Sequence, residues 1–181
     1  MGEKIQQFAG DGAAFGLRID YSQEPEPLET GGGLLKALPL LGDQPFLLIN
    51  GDVWSDFSLS ALQQHLLPNH YEGHLIMVPN PEFHPRGDFS LAGSNELIAD
   101  EKIAVDQEWP KYTFAGISLL RPELIANYPQ KRIKFPLGEV LRNAIANNKL
   151  TAEVYAGRWS DVGTPERLHI LDADLSVSNV L

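Results

Sequence analysis

Two acid-bearing segments stand apart in this sequence. Leu47-Leu48-Ile49-Asn50-Gly51-Asp52 and Trp159-Ser160-Asp161-Val162-Gly163-Thr164-Pro165 each place one aspartate at the end of an apolar or aromatic run, within two residues of a glycine. A glycine there lets a large ligand come close to the backbone. Two hard oxygen ligands from distant parts of a chain suit Mg²⁺, which is commonly held by one or two carboxylates together with substrate phosphates. Each acid alone has a plainer use. An aspartate in the place of Asp52 caps helices and closes turns, and Asp, Gly and Pro cluster in turns in any case. The pairing of Asp52 with Asp161 is what argues for a metal.

Such a pair needs a scaffold that carries both acids to one end. Phe46 to Ile49 is a continuous apolar run, as in a buried strand of a parallel sheet. Asp52 follows it directly, and in open α/β sheets ligands bind beyond the carboxyl ends of the strands. Further strands are predicted over Leu17–Tyr21, Leu75–Val78, Tyr112–Leu120 and Leu150–Tyr155, with a hairpin of Asp88–Ala92 and Glu96–Ala99 around Gly93-Ser94-Asn95. Helices are predicted at Ile5–Ala9, Leu34–Leu41 (limited by Pro39), Asp56–Leu67 (capped by Ser58 or Ser60), Pro122–Tyr128, Leu137–Asn147 and Pro165–Asp174. Pro165 stands at a first helical position, where its missing N–H costs nothing. A Pro- and Gly-rich loop is expected from Glu24 to Gly33. Alternating strands and helices imply an α/β fold, Rossmann-like, with a mixed and mostly parallel sheet and flanking helices. One domain over residues 1–175 and a tail at 176–181 account for the chain.

Bulk properties narrow the function. With 24 acidic and 14 basic residues the net charge is −10, which repels a nucleic-acid backbone at long range. A nucleotide substrate remains compatible, because a metal and local basic groups offset its charge. The chain has no cysteine, which excludes thiol catalysis and Cys-ligated zinc. No apolar run is long enough to span a membrane, and the first residues lack signal-peptide character, so a cytoplasmic protein is expected. His65, His70, His74, His84 and His169 show no metal-ligand spacing.

A third segment, Pro27-Leu28-Glu29-Thr30-Gly31-Gly32-Gly33, completes a pattern. Together with Ile-Asn-Gly-Asp-Val around Asp52 and Trp-x-Asp-x-Gly-Thr-Pro around Asp161, it resembles the sugar-1-phosphate nucleotidylyltransferases, most closely the N-acetylmuramate-1-phosphate uridylyltransferase group. The resemblance runs from about Lys4 to about Leu171. It implies transfer of a nucleotidyl group from a nucleoside triphosphate, UTP by this resemblance, to a sugar 1-phosphate, with release of pyrophosphate. It implies Mg²⁺ held by Asp52 and Asp161. It implies that Glu29, Thr30, Gly31 and Gly32 read the base, although many relatives carry Gly in place of Glu29. It implies that Gly87, in His84-Pro85-Arg86-Gly87-Asp88-Phe89, turns its amide to the sugar. Thr113 and Gly116, in the strand passing under the sugar, and Glu139 are its other sugar-facing candidates. Gly116 also reads as a bulge glycine in a core strand, and Glu139 as a helix N-terminal acid that needs no function.

One family element is missing from these motifs. A loop of the type Gly-x-Gly-x-Arg-x-x-Pro and a following Pro-Lys-Pro normally wrap the triphosphate; Gly10-Asp11-Gly12 has the wrong charge and no Arg-x-x-Pro after it. By resemblance the chain aligns from the family's first-helix tail onward. A domain lacking its N-terminal strands is therefore expected, with impaired activity and with unpaired sheet edges that favour a homo-oligomer. Two other readings stay open: a non-catalytic sugar-nucleotide binding or regulatory module, and a guanylyl- or thymidylyltransferase for mannose or glucose 1-phosphate.

Overall fold

The computed structural model describes residues 2–93, 95–102, 108–129 and 132–178. Its strands are β1 (Phe46–Ile49), β2 (Val53–Ser55), β3 (Gly73–Val78), β4 (Phe89–Ala92), β5 (Glu96–Ile98), β6 (Lys111–Leu120), β7 (Leu150–Val154) and β8 (Trp159–Asp161). Its α-helices are α1 (Gly2–Ala9), α2 (Glu29–Leu41), α3 (Leu59–Gln63), α4 (Pro122–Ala126), α5 (Leu137–Ala146) and α6 (Pro165–Ser178). Six strands form one sheet in the order β1-β6-β3-β7-β5-β4, and β2 pairs with β8 in a separate ribbon.

β3 is the centre. All six of its residues are buried, and they divide by strand periodicity between two cores. Leu75 and Met77 pack with Leu120, Phe135 and the apolar faces of α4 and α5; Leu34, Leu35 and Leu38 of α2 join them from the same side. Ile76 and Val78 face the other way, with Ala115, Ile117, Leu119, Leu62 and Leu67. A strand covered on both faces needs no polar alternation, which is why Leu75–Val78 is continuously apolar.

The mixed α/β architecture with flanking helices is as expected, but strand direction differs from the mostly parallel sheet. Among the described pairings β3–β7 is parallel and the rest are antiparallel. The cause is β6. After the β4–β5 hairpin it returns between β1 and β3, antiparallel to both. β1, β3 and β7 still point the same way, so strand-helix alternation identified their common direction but not the reversed strand inserted among them. β1 is consequently an edge strand, half-buried rather than enclosed.

Other differences are local. Leu17–Tyr21 forms no strand; Ile19 N–H donates to Asp11 O at 2.9 Å, folding the segment back on the turn that ends α1. Helix α2 begins at Glu29 and takes in Gly31–Gly33, which were expected in a loop, and it continues past Pro39 to Leu41. Gly31 and Gly32 are buried there for a steric reason. A Cβ on Gly31 would lie 2.5 Å from the Phe135 ring, and one on Gly32 2.3 Å from Ile133 O. Close packing on residues 133–135 thus overrides poor helix propensity. Helix α3 is shorter than predicted, with Ser58 Oγ capping it by accepting from Ala61 N–H. Helix α6 reaches Ser178, into the stretch expected as a tail; residues 179–181 lie outside the described residues.

His74 of β3 is a buried polar group in this core, 3% exposed. Its Nδ1 lies 2.7 Å from Thr151 Oγ1, its ring stacks on His65 at 4.1 Å, and its Nε2 is buried without a hydrogen-bond partner, 4.0 Å from Glu153 Oε1. Burial, and secondarily the His65 charge, lower its pKa from 6.5 to about 4. The unfolded chain takes up this proton as pH falls below about 6.5, the folded chain only near 4. The stability contribution is therefore present above the unfolded pKa and is lost as pH falls toward 4, by on the order of 3 kcal/mol. Thermal melts from about pH 7 to 4 should show this acid-induced loss in the wild type and a smaller one in His74→Gln. Parallel declines would assign the acid sensitivity to other groups.

Candidate active site

The two sequence-selected aspartates meet through the β2–β8 ribbon. Val53 pairs with Asp161, Trp54 with Ser160 and Ser55 with Trp159, and Val162 N–H donates to Asp52 O at 2.8 Å. Three residues a side make a weak ribbon alone, so other bonds hold it. Trp159 Nε1 donates to Ala115 O of β6 at 2.9 Å, tying β8 to the main sheet. Ser55 Oγ donates to Arg158 O at 3.0 Å, and Asp56 Oδ1 accepts from Arg158 N–H at 2.9 Å and from the Tyr155 hydroxyl. The Tyr155 hydrogen bond is the main reason the Asp56 carboxyl titrates below its usual range.

The carboxylates converge on Gly163. The point where a Cβ would stand on Gly163 is 2.9 Å from Asp161 Oδ1, 3.6 Å from Asp52 Oδ2 and 3.1 Å from Arg167 Nη2. The two acid oxygens therefore lie within about 6.5 Å of each other, a span that one partly hydrated divalent cation bridges. Asp161 Oδ1 accepts from Gly163 N–H at 2.8 Å, and Asp161 Oδ2 pairs with Arg167 Nη1 at 3.2 Å. No cluster of three or more His, Cys, Asp or Glu suited to a metal occurs among the described residues. Two carboxylates with open space beside them fit Mg²⁺ that completes its shell with water and phosphate.

That space is a cleft of about 450 Å³ at the carboxyl ends of β1 and β3. Asn50, Asp52 and Val53 form one wall, Thr113–Gly116 of β6 the floor, Phe83, His84 and Asp88 the opposite wall, and Trp159, Asp161 and Arg167 the rim. The opposite wall is braced from within. Asp88 Oδ2 accepts from Phe114 N–H at 2.8 Å, its Oδ1 lies 3.1 Å from His84 Nε2, and Thr113 Oγ1 donates to Asn80 Oδ1 at 3.0 Å. Gly87 belongs to this braced loop, but its N–H donates to His84 O at 3.2 Å rather than into the cleft.

The structure thus brings Asp52, Asp161, Thr113 and Gly116 into one cleft. It does not bring Glu29, Thr30, Gly31, Gly32 or Glu139 there. Gly31 and Gly32 are enclosed against residues 133–135, and Gly32 N–H donates to Phe135 O at 3.1 Å. Glu29 and Glu139 line a separate shallow recess with Arg132, Ile133, Lys134 and Pro136, where Glu139 pairs with Arg132 and accepts from the Tyr128 hydroxyl at 3.3 Å. Sequence reasoning missed Arg167, Asn50 and Asp88. A usable signal for Arg167 existed: Pro165 at the helix start puts Arg167 in the first turn, beside Asp161.

Gly116 shapes the floor. Leu75 pairs with Ser118 but Met77 with Phe114, so a bulge lies between, and Gly116 takes φ +71° within it. A Cβ there would stand 2.8 Å from Asn50 Nδ2. Gly116→Ala should therefore cost about 1–2 kcal/mol for the left-handed backbone, plus the displacement of Asn50. Gly93→Ala is the control, because Gly93 has φ +60° with nothing within 4 Å of a Cβ. Urea melts should show the greater loss for Gly116→Ala; equal losses would show that Asn50 is not crowded.

Comparison with known proteins identifies the family. The model of the family described as nucleotidyl transferase matches residues 2–177. An N-acetylmuramate alpha-1-phosphate uridylyltransferase of Neisseria meningitidis is 40% identical over 93% of this chain and 71% of that protein. A mannose-1-phosphate guanylyltransferase of Mycobacterium tuberculosis is 30% identical over 92% of this chain, which spans 46% of that protein's length. A Bacillus anthracis structure described as a glucose-1-phosphate thymidylyltransferase superposes with a TM-score of 0.74 over 96% of this chain and 71% of that one, at 17% identity, which shows likeness of fold. The chain belongs to the nucleotidyl transferase family, among the sugar-1-phosphate nucleotidyltransferases.

Proposed function

We propose that this cleft joins a sugar 1-phosphate to UTP with release of pyrophosphate, using Mg²⁺ held by Asp52 and Asp161. The observation that carries the reading is the convergence of both carboxylates on one point at the mouth of an open cleft. The preference for uridine, and for N-acetylmuramate 1-phosphate, is supported by the 40% identical relative that bears those names. Base reading by Glu29, Thr30, Gly31 and Gly32 is not part of this proposal, because that segment does not line the cleft.

A phosphate oxygen of the sugar 1-phosphate is ionised at neutral pH and needs no general base. It forms a bond to the α-phosphorus of UTP while the bond from that phosphorus to the bridging oxygen of the β-phosphate breaks, and pyrophosphate leaves. Mg²⁺, when bound, offsets the charge of the reacting phosphates. The chain's own part is to place the groups. Asp52 and Asp161 orient the cation site, Thr113 and Gly116 present a floor for the sugar, and the braced loop of His84 and Asp88 closes the side. We assign the protein to the cytoplasm, where nucleoside triphosphates are supplied, and propose self-association through the β1 edge and α1, whose Phe8 is 80% exposed. Size-exclusion chromatography reads that association directly.

The second reading is a sugar-nucleotide binding module with little turnover. Pyrophosphate release with Mg²⁺, four nucleoside triphosphates and several sugar phosphates separates the two. The enzyme reading expects UTP with N-acetylmuramate 1-phosphate to react best, and Asp52→Asn or Asp161→Asn to lower turnover by on the order of 10²-fold or more. An N-terminal extension carrying a Gly-x-Gly-x-Arg-x-x-Pro loop should raise the rate. Magnesium-dependent UTP binding without release in either form would establish the binding module, and near-normal turnover of both mutants would remove the acids from the mechanism.

A further inference from the structure

We propose that Arg167 is a phosphate-binding residue of this cleft, held on Asp161 in the free protein and passed to the substrate's phosphate when a divalent cation takes Asp161. The proposal rests on the reading of the cleft as a sugar-phosphate site. Three observations carry it.

First, Arg167 is incompletely used where it stands. Nη1 alone contacts Asp161, at 3.2 Å to Oδ2, so the pair is end-on and not the two-bond fork that guanidinium makes with a planar oxyanion. Its Nε is buried with no hydrogen-bond partner among the described residues. A residue needed only to hold Asp161 would gain from the fork and would not leave that donor unmet.

Second, it is the one arginine or lysine among the described residues that line the cleft, which it shares with Asp52, Asp88 and Asp161. An anionic substrate entering this cleft finds no other guanidinium or ammonium group on its walls. Arg167 is also kept within reach of the cleft, because its Cζ stands over the Phe83 ring, 4.4 Å from the centroid.

Third, a divalent cation on Asp161 weakens the hold of that carboxylate on Arg167. Asp161 Oδ1 faces the point shared with Asp52, while Oδ2 carries Arg167. A divalent ion on this carboxylate repels a guanidinium sharing it. Gly163, having no Cβ, leaves open the space beside Nη2 through which the side chain can turn. Freed from Asp161, the planar fork matches two oxygens of a phosphate.

The test compares the wild-type chain with Arg167→Gln, Arg167→Met and Arg167→Lys, each checked for an unchanged melt; the Met variant keeps the packing on Phe83. Calorimetry with Mn²⁺ alone should show binding about twofold to fivefold tighter in the Gln and Met variants, as expected when a competing, partly exposed ion pair is removed. With Mn²⁺ saturating, N-acetylglucosamine 1-phosphate and N-acetylmuramate 1-phosphate should each bind about tenfold or more weakly to those variants, and Arg167→Lys should recover part of that loss. Unchanged or weakened Mn²⁺ binding overturns the proposal, as does unchanged sugar-phosphate binding. A loss confined to the muramate sugar also overturns it, since Arg167 would then read the lactyl carboxylate. If the wild type binds neither sugar phosphate, the sugar-phosphate reading fails, and the Mn²⁺ comparison still decides whether Arg167 competes for Asp161.

Discussion

The pairing of β2 with β8 is the constraint on which the site depends. Three residues from each side of the chain lie antiparallel, in a register that sets Val53 opposite Asp161 and leaves Asp52 O bonded to Val162 N–H. A slip of one residue would turn every side chain on one strand to the other face and separate the acids. So short a ribbon does not fix its own register. The indole of Trp159 on Ala115 O, and the Asp56 carboxylate on Arg158 N–H, do that from outside.

The main sheet supplies the rest of the geometry. Because β6 runs back between β1 and β3, β1 ends opposite Ile117 and β3 ends opposite Thr113 of that strand. The bulge at Gly116 falls between those two positions and receives Asn50, whose N–H donates to Gly116 O at 2.8 Å. Floor and wall of the cleft are thus set by one irregularity in the longest strand. A Cβ on Gly116 would stand 2.8 Å from Asn50 Nδ2, so glycine at the bulge leaves Asn50 its place.

Much of this was legible in residues. A continuous apolar run marked β3, a proline marked the start of α6, and two aspartates close to glycines marked the cleft. What could not be read had physical reasons. Three-residue strands carry too little periodicity to declare themselves, so β2 and β8 were missed. The reversal of β6 is a matter of topology, which local pattern does not encode. The glycines at 31 and 32 read as a loop because helix propensity disfavours them, yet contact with Phe135 and Ile133 O requires residues without a Cβ. Arg167 belongs to no glycine- or acid-bearing motif, so only its place in the first turn of α6, beside Asp161, marks it.

The order of the chain has a consequence for biosynthesis. Asp52 leaves the ribosome long before Trp159–Arg167 do, and the sheet can assemble around β3 only once β6 and β7 have followed. Synthesis runs from the N-terminus at about 5–20 residues per second, so several seconds separate the emergence of the two acids. During that interval the nascent chain holds a lone carboxylate and no cleft. The two acids come together only when β8 pairs with β2. A translational pause or a cut before Trp159 would leave Asp52 without the strand that sets Asp161 beside it.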